Sequence, residues 1–327
     1  MTEENAEYLQ RAPVNELNEA IENIRREMGR VIVGQNQMLE LLLVSLLADG
    51  HSLIEGVPGV AKTLVAKLMA RLVHVKFSRI QFTPDLMPSD VIGTSVFNPA
   101  DARFQFKEGP VFGNIILIDE INRAPAKTQA ALFEVMEEKQ ITVDGVTHNM
   151  DFPFMVLATQ NPIEQEGTYR LPEAQLDRFL FKILVSYPGL EDEVAILMQQ
   201  LSQSQNELLQ QVKPVVGIDA LNAYRKIVQQ IIIDQKLVEY IARIIHETRN
   251  NPGLYLGASP RASISLLRSS KALAAIRNRD FVIPDDIKEM ALPVLRHRIM
   301  LTPEKEMEGI TADQLIENIL KTVEIPR

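Results

Sequence analysis

The sequence has no cysteine among its 327 residues, so it cannot form disulfides, bind a metal through thiolates or use a cysteine nucleophile. This composition suits a reducing compartment. Glycine and proline, at 15 and 18, are not enriched and neither recurs at a fixed interval, which excludes a fibrous repeat. Hydrophobic residues still make up 46% of the chain, enough for a buried core, so a chain disordered throughout is excluded.

Long apolar segments and an excess of basic residues are missing as well. No segment approaches 18 consecutive apolar residues, and we therefore expect no transmembrane helix. Residues 1–15 are polar and acidic and do not resemble a signal peptide, so we expect a cytoplasmic protein. The 43 acidic and 34 basic residues give a net charge of −9. This argues against a protein that coats nucleic acid by neutralising phosphates, although a local basic channel is not excluded.

The order of predicted elements indicates two domains, which the chain length also favours. Short apolar runs alternate with helical patterns in residues 1–188, which predicts an α/β domain with a mostly parallel sheet covered by helices on both faces. Helical patterns alone remain afterwards, so we expect a smaller all-α domain at residues 189–327. Strands are predicted at residues 52–55, 75–82, 115–118, 154–159 and 181–185. Helices are predicted at residues 14–28, 37–48, 62–72, 191–211, 219–230, 235–250, 260–277 and 285–297.

Two predicted hairpins interrupt this alternation. Their strands are residues 91–97 with 103–106, and residues 141–143 with 146–148. The second hairpin turns at Asp144-Gly145, a strong type I′ signal. In the first hairpin Phe97, Phe104 and Phe106 alternate along the strands as core residues would.

The loop between the first strand and the helix at residues 62–72 carries a phosphate-binding motif. Its residues are Gly56, Val57, Pro58, Gly59, Val60, Ala61, Lys62 and Thr63, which fit G-x-x-x-x-G-K-[ST] except at Ala61. Loop N–H groups and the helix N-terminus would face phosphate oxygens, Lys62 would reach the β- and γ-phosphates, and Thr63 would hold Mg²⁺. Because Ala61 has a Cβ, we expect the loop to avoid a positive φ there. The strand–loop–helix context disfavours the alternative, a glycine-rich turn with an incidental Lys-Thr pair.

Two acidic residues, Asp119 and Glu120, follow the apolar run at residues 115–118. They lie at the carboxyl end of a predicted buried strand, where ligands bind in open α/β sheets. Asp119 would hold the metal, directly or through water, and Glu120 would polarise the attacking water. Two adjacent acids can also form a solvated turn, but beside a phosphate loop they indicate a nucleotide-hydrolysing site.

Three further polar residues are candidates, each with an alternative. Asn161 ends the next apolar strand and can position the attacking water, although Asn before Pro is also a common turn residue. Arg178 can be an ion-pair partner of Asp177 or another neighbour, or an arginine finger supplied to an adjacent subunit. Arg261 lies in a first helical turn, after the N-cap Ser259, where the helix dipole disfavours a cation. An external anion, the γ-phosphate, is therefore its expected partner, and a plain surface arginine is the alternative.

Several other chemistries are disfavoured by missing patterns. The sequence has no Asn-Lys-x-Asp guanine motif, no G-x-S-x-G nucleophile elbow and no G-x-G-x-x-G dinucleotide fingerprint. Its five histidines show no metal-site spacing. We therefore expect ATP rather than GTP as the substrate.

In combination these segments resemble the MoxR-type AAA+ ATPases along nearly the whole chain. The matching segments are GVPGVAKT at 56–63, LIDEINRA at 117–124, ATQNP at 158–162, LPEAQLDRF at 171–179 and SPRA at 259–262. The resemblance implies a P-loop AAA+ domain followed by an α-helical lid, with ATP or ADP and Mg²⁺ as ligands. It also implies a homo-oligomeric ring, a hexamer, that matures or activates client protein complexes. In this family the partner is often a von Willebrand factor A-domain protein, and the task is sometimes metal-cofactor insertion.

The same resemblance assigns a role to each candidate residue. Lys62 and Thr63 belong to the Walker A motif, with Leu64 beside them, and Asp119 and Glu120 belong to the Walker B motif. Asn161 is sensor 1, Arg178 is the arginine finger and Arg261 is sensor 2. Val33 and Gly34 line the adenine pocket. Both hairpins would face the pore of the ring. Alanine before the motif lysine is common in the family.

Two other functions compete with a protein-remodelling ring. Nucleic-acid motors and clamp loaders also contain AAA+ modules, but a hairpin that tracks DNA should be basic. The segment 97–108 is balanced, with Asp101, Arg103, Lys107 and Glu108. A nucleotide-binding scaffold that barely hydrolyses is disfavoured by the intact Glu120. The balanced charge therefore disfavours nucleic acid as a partner. We also expect one γ-phosphate to contact Lys62 and Arg261 of the same chain and so couple the two domains.

Overall fold

The computed structural model of the protein describes residues 13–57, 59–100, 102–161 and 168–326. Its strands in these ranges are β1 (Ser52–Gly56), β2 (Phe77–Gln81), β3 (Gly93–Asn98), β4 (Arg103–Glu108), β5 (Ile115–Asp119), β6 (Gln140–Val143), β7 (Val146–Asn149), β8 (Met155–Gln160), β9 (Phe181–Val185), β10 (Leu254–Leu256) and β11 (Met300–Leu301). Its α-helices are α1 (Val14–Val31), α2 (Asn36–Leu47), α3 (Lys62–Leu72), α4 (Pro88–Ile92), α5 (Ala126–Glu138), α6 (Glu173–Leu176), α7 (Leu190–Ser202), α8 (Gln205–Gln211), α9 (Ile218–Gln230), α10 (Gln235–Asn250), α11 (Pro260–Ile276), α12 (Pro284–Leu295), α13 (Pro303–Met307) and α14 (Ala312–Thr322).

Five strands form one parallel sheet in the order β2-β5-β8-β1-β9, which confirms the predicted sheet. Because the strands are parallel, the loops after β1, β5 and β8 meet at one edge of the sheet, here called the carboxyl edge. The residues that precede β1 and β9 lie at the opposite edge, here called the amino edge. This separation decides which candidate site residues can meet within one chain.

The central strands are apolar along their whole length because both faces of the sheet are covered. In β5, Ile115 and Leu117 pack into one hydrophobic cluster, whereas Ile116 and Ile118 pack into another, and all four are fully buried. A strand with two buried faces needs apolar residues at every position. The first cluster continues through α1, α2 and the helical C-terminal part, so the sheet and the C-terminal helices share a core.

The structure corrects three predicted elements. The single helix expected at residues 191–211 is two helices, because Ser204 starts α8 with a capping box in which it exchanges hydrogen bonds with Glu207. The C-terminal part is not purely helical, because β10 pairs with β11. Val91 and Ile92 end the short helix α4 and do not begin the first hairpin.

The two hairpins themselves form as predicted, but their side chains lie differently. Asp144 and Gly145 have φ values of 51° and 78°, as a type I′ turn requires. Phe97 and Phe104 are 49% and 72% exposed and stack edge to face, so the expectation that they are core residues is wrong. Phe106 does pack inward, against Phe112 and His148. The tip of the first hairpin therefore presents two aromatic rings to solvent.

The helical part is joined to the amino edge by buried polar contacts. Arg298, just after α12, pairs with Asp177 at 2.7 Å and donates to the carbonyls of Phe179 and Leu180, which lead into β9. The boundary near residue 188 between two domains stays a prediction. No helix in the described ranges has both the length and the apolar character needed to cross a bilayer.

His51 links β1 to its neighbours at the amino edge and makes stability pH-dependent. Its Nδ1 accepts from the N–H of Val156 at 3.0 Å, so Nε2 carries the proton and donates to the carbonyl of Met136 at 3.1 Å. Burial lowers the pKa of His51 from 6.5 to about 4. The unfolded chain therefore takes up a proton first, and His51 should remove about 3 kcal/mol of stability as the pH falls from 6.5 to 4.

This expectation can be measured by urea unfolding at pH 7 and pH 4 for the wild type and His51→Gln. The glutamine variant should lose less stability over this interval by about that amount, whatever its stability at pH 7. Equal losses in the two proteins would show that His51 does not carry the effect.

Candidate active site

A cavity of about 430 Å³ opens at the carboxyl edge of the sheet. Its walls come from the phosphate loop, the tips of four elements and the start of α8: Gly56, Gly59, Val60, Ala61, Lys62, Thr63, Leu64, Arg79, Gln81, Asp119, Glu120, Thr159, Asn161 and Gln205. The structure thus brings the predicted residues Lys62, Thr63, Asp119, Glu120 and Asn161 around one space. Its volume is typical of a small-molecule site.

The phosphate loop turns through two left-handed residues before α3 begins. Gly59 has φ 87° and Ala61 has φ 58°, so the expectation that Ala61 avoids a positive φ is wrong. This conformation costs an alanine about 1–2 kcal/mol, a strain of the kind that collects at functional sites. No side chain caps α3. The first N–H groups of α3, at residues that line the cavity, therefore lack helical acceptors and suit an anion.

Lys62 lines the cavity and is partly buried. Its Nζ donates to the carbonyl of Gly56 at 2.6 Å. Burial lowers the pKa of Lys62, while the nearby carboxylates of Asp119, Glu55 and Glu120 act in the opposite direction. A partly desolvated ammonium group favours an anionic partner, so a phosphate oxygen is a natural ligand at this position.

The two acidic residues both have basic partners. Asp119 Oδ2 accepts from Nε of Arg79 at 2.7 Å. Glu120 Oε2 accepts from Nε2 of Gln81 at 2.9 Å and pairs with Nε of Arg123 at 3.0 Å. Arg79 and Gln81 share one face of β2, and Gln81 lies opposite Asp119 in the register of the sheet. The guanidinium groups of Arg79 and Arg123 offset the repulsion between the two adjacent carboxylates.

Thr159, near the tip of β8, fixes the acidic pair from the other side. Its hydroxyl accepts from the Glu120 N–H at 3.0 Å and donates to Asp119 Oδ1 at 3.3 Å. Glu120 is held in a left-handed conformation with φ 57°. Asn161 follows β8 directly and lines the cavity beside this pair. Its placement matches the position that the sequence predicted, at the end of the strand next to β5.

Arg178 and Arg261 lie together, away from this cavity. Nε of Arg178 donates to Glu137 Oε2 at 2.7 Å, and Nη2 of Arg261 binds Oε1 of the same carboxylate. An internal carboxylate therefore takes the place of the external anion expected for Arg261. One carboxylate holds both guanidinium groups side by side.

Asp177, the expected alternative partner of Arg178, makes different contacts. It pairs with Arg298 and accepts from the hydroxyl of Ser259 at 2.7 Å. Ser259 is the N-cap of α11, as predicted, and accepts from the N–H of Arg261. Asp177 thus anchors the start of α11 and leaves Arg178 to Glu137.

The group formed by Arg178, Arg261 and Glu137 lies at the amino edge. Arg178 precedes β9, and the end of α5 that carries Glu137 contacts His51 through Met136. One five-residue strand spans about 16 Å, so this group lies about that far from the phosphate loop. The structure does not bring Arg261 to Lys62, contrary to the expectation that one γ-phosphate contacts both within a single chain.

Of the two residues expected around adenine, Gly34 lies beside α7, and neither Gly34 nor Val33 is among the residues that line the cavity. Gly34 lies so close to Asp192 that a Cβ on Gly34 would come 2.4 Å from the carboxylate oxygen Oδ2. Gln35, next to it, donates to the carbonyl of Ser186 at 3.3 Å. Val57 packs against the core. Two residues of the predicted motifs, at positions 58 and 162, lie outside the described residues.

Sequence reasoning missed Arg79, Gln81, Thr159 and Glu137. Arg79 and Gln81 share one strand face by their spacing of two, and Thr159 lies inside the matched segment at residues 158–162. Those signals become informative once the strand order is known. Glu137 has no local signal, because its two partners are 41 and 124 residues away along the chain.

A parallel sheet with a phosphate loop after β1 and an acidic pair at the tip of β5 defines a P-loop nucleoside triphosphatase. Residues 51–181 match the ATPase family associated with various cellular activities (AAA), and residues 246–319 match the AAA lid domain. The chain belongs to the MoxR-type AAA+ ATPases.

Two relatives and one solved structure match along most of their length. The chain is 46% identical over 310 residues to the uncharacterized protein YeaC of Bacillus subtilis, covering 95% of both chains. It is 45% identical to the chaperone MoxR1 of Mycobacterium tuberculosis, covering 92% of this chain and 81% of that protein. A crystal structure of a Cytophaga hutchinsonii protein assigned as an ATPase superposes with a TM-score of 0.89 at 44% identity and covers 96% of this chain and 97% of that one. The protein is an ATPase.

Proposed function

We propose that this ATPase depends on Mg²⁺ and works as a homo-oligomeric ring that remodels, matures or activates other protein complexes. The observation that carries the proposal is the division of the site residues. Lys62, Asp119 and Glu120 lie at the carboxyl edge, whereas Arg178 and Arg261 lie at the amino edge. Within one chain, the residues that the family resemblance assigns to a single site therefore lie in two separate groups.

The carboxyl edge supplies the groups that bind ATP. The N–H groups at the start of α3 and the ammonium group of Lys62 would bind the phosphates. Thr63 and Asp119 border the same cavity and offer a hydroxyl and a carboxylate oxygen, a donor set that suits Mg²⁺ when phosphate oxygens complete it. Mg²⁺ bound there would neutralise phosphate charge and orient the γ-phosphate.

Hydrolysis needs a base held in place, and Glu120 meets this requirement. Its backbone is fixed by Thr159 and its carboxylate by Gln81 and Arg123. Glu120 would accept a proton from the attacking water, and Asn161 would align that water with the γ-phosphate. At this edge Arg79 and Arg123 are already paired with Asp119 and Glu120, so further cations for the γ-phosphate would come from elsewhere.

Arg178 and Arg261 of a neighbouring copy would supply those cations. Glu137 holds the two guanidinium groups together, and each has five N–H donors, so donors remain for a phosphate. Such a contact joins unlike faces of two copies, and head-to-tail contacts of this kind close into a ring when the rotation from one subunit to the next permits it. The family resemblance favours six subunits.

Exposed apolar side chains at the two hairpins support the proposal that the client is a protein. Val96, Phe97 and Phe104 at the first hairpin and Val146 at the second are at least 49% exposed. Exposed aromatic and aliphatic groups suit contact with polypeptide. One relative is named a chaperone, and by resemblance a von Willebrand factor A-domain protein is a candidate partner. The absence of cysteine fits the cytoplasm, where we expect the protein to act.

Affinity capture with a Glu120→Gln variant tests this function. With ATP the variant should retain client proteins from a cell extract, because it binds ATP without hydrolysing it. The control is the double variant Lys62→Ala with Glu120→Gln, which lacks the phosphate-binding lysine and should retain few. Equal capture by both variants would argue against an ATP-driven remodelling function, and retention that nuclease treatment abolishes would favour a nucleic-acid motor.

A further inference from the structure

Helix α7 carries an apolar stripe that faces away from the molecule. None of its 13 residues is buried. Five large side chains are between 52% and 83% exposed: Leu190, Val194, Leu197, Met198 and Leu201. At 100° per residue these five positions fall within an arc of about 100°, which is the pattern of a buried helix face. We call these five residues the α7 stripe.

The opposite face of α7 holds the helix to the protein through polar groups. Asp192 packs against Gly34, and Nε2 of Gln199 donates to the carbonyl of Arg30 at 2.7 Å. The helix is therefore inverted, with its polar side inward and its apolar side outward. A contiguous apolar patch of several hundred Å² on a soluble protein marks an interaction site.

The position of the stripe indicates what covers it. Gln205 of α8, four residues after Leu201, lines the ATP cavity. The cavity is incomplete without Arg178 and Arg261, which lie about 16 Å away at the amino edge of the same chain. A second copy that delivers its own arginines from this side of the cavity would lie beside α7.

The surface around Arg261 combines an exposed apolar residue with a basic group, which makes it complementary to the α7 stripe. Ile264, one turn later on the same side of α11, is 56% exposed. The first turn of α7 also contains Glu191 and Glu193, which flank the stripe and complement a basic face. An apolar contact flanked by opposite charges is the usual composition of a specific interface.

We infer that the α7 stripe is the docking surface for a second copy of this chain, which packs the Arg261 and Ile264 face of α11 against it. This inference rests on the proposed ring and specifies where its subunits meet. Burial of the stripe would hold the neighbour's arginines at the cavity, and the γ-phosphate would strengthen a contact that apolar packing begins. ATP binding and assembly would then be linked.

The first experiment compares two charge insertions in the Glu120→Gln background. Leu197→Glu with Leu201→Glu should raise the protein concentration needed for ATP-dependent assembly by about 100-fold, because it places charges in a buried apolar contact. Met307→Glu is the matched control, since Met307 is 82% exposed on α13, and it should assemble like the parent. Assembly is followed by sedimentation, and binding of a fluorescent ATP analogue below the assembly concentration should be the same in all three proteins.

The outcomes separate this inference from the proposed function. If the parent assembles with ATP and the stripe variant assembles equally well, the stripe is not the contact and the ring stands. If the parent does not assemble with ATP, both the ring and its contact are wrong. If the stripe variant loses ATP-analogue binding below the assembly concentration, the stripe acts within one chain and the docking inference is wrong.

Cross-linking tests the partner face directly. Because the sequence has no native cysteine, only the introduced cysteines can react. Leu197→Cys and Ile264→Cys are made in separate preparations, mixed with ATP in the Glu120→Gln background, and treated with a short bis-maleimide. A cross-linked dimer of the two variants is expected, and it should disappear without ATP. A mixture of Met307→Cys with Ile264→Cys is the control, and equal yield from it would overturn the assignment of the α11 face.

Discussion

Replacing Glu120 with glutamine is expected to reduce ATP turnover by about 100-fold or more while ATP binding is retained. Glutamine keeps the size and hydrogen-bonding reach of the side chain, but its amide cannot accept a proton from water. The contacts of Glu120 with Thr159 through the backbone and with Gln81 through the side chain do not depend on its charge, so only the ion pair with Arg123 is lost. The phosphate loop and Lys62 are unchanged, so the affinity for ATP should remain.

Turnover is measured by phosphate release and affinity by a fluorescent ATP analogue. Glu138→Gln is the matched control, because Glu138 is an exposed glutamate at the end of α5, and its turnover should equal that of the wild type. Wild-type turnover in Glu120→Gln would remove the base role from Glu120. Loss of nucleotide binding in that variant would instead indicate a role in the phosphate site.

The phosphate loop could be predicted from the sequence because it is a local structure. The motif at residues 56–63 and the apolar run at residues 115–118 each lie within one turn or strand, and the parallel sheet then places both at one edge. The backbone at Ala61 could not be predicted in the same way. Intrinsic preference argues against a left-handed alanine, but the geometry needed to start α3 at Lys62 overrides a cost of about 1–2 kcal/mol.

Contacts between distant segments account for most of what the sequence did not reveal. Glu137 meets Arg178 and Arg261 because α5 returns to the amino edge, where β9 begins and α11 starts. The pattern of apolar residues along a sequence does not predict which carboxylate an arginine will pair with. The same limit applies to α7, whose amphipathic pattern correctly predicts a helix but not that its apolar side faces outward.

Mixing two inactive variants should restore ATP hydrolysis if Arg178 acts on a neighbouring subunit. Lys62→Ala removes the lysine from the phosphate site, and Arg178→Ala removes the arginine, so each variant alone should lose at least about 100-fold in turnover. In a mixed ring some contacts join an intact Lys62 site to an intact Arg178. At equal amounts and random mixing about one contact in four has this composition, which sets the scale of the recovered activity.

The distance between the two edges makes this test decisive. Arg178 lies about 16 Å from the phosphate loop of its own chain, so an activity that depends on it must come from another copy. Arg170→Ala is the matched control, because Arg170 is an exposed arginine in a local ion pair with Glu173, and it should keep wild-type turnover. Normal turnover in Arg178→Ala, or no recovery at concentrations where mixed rings are demonstrated, would leave Arg178 as a structural partner of Glu137.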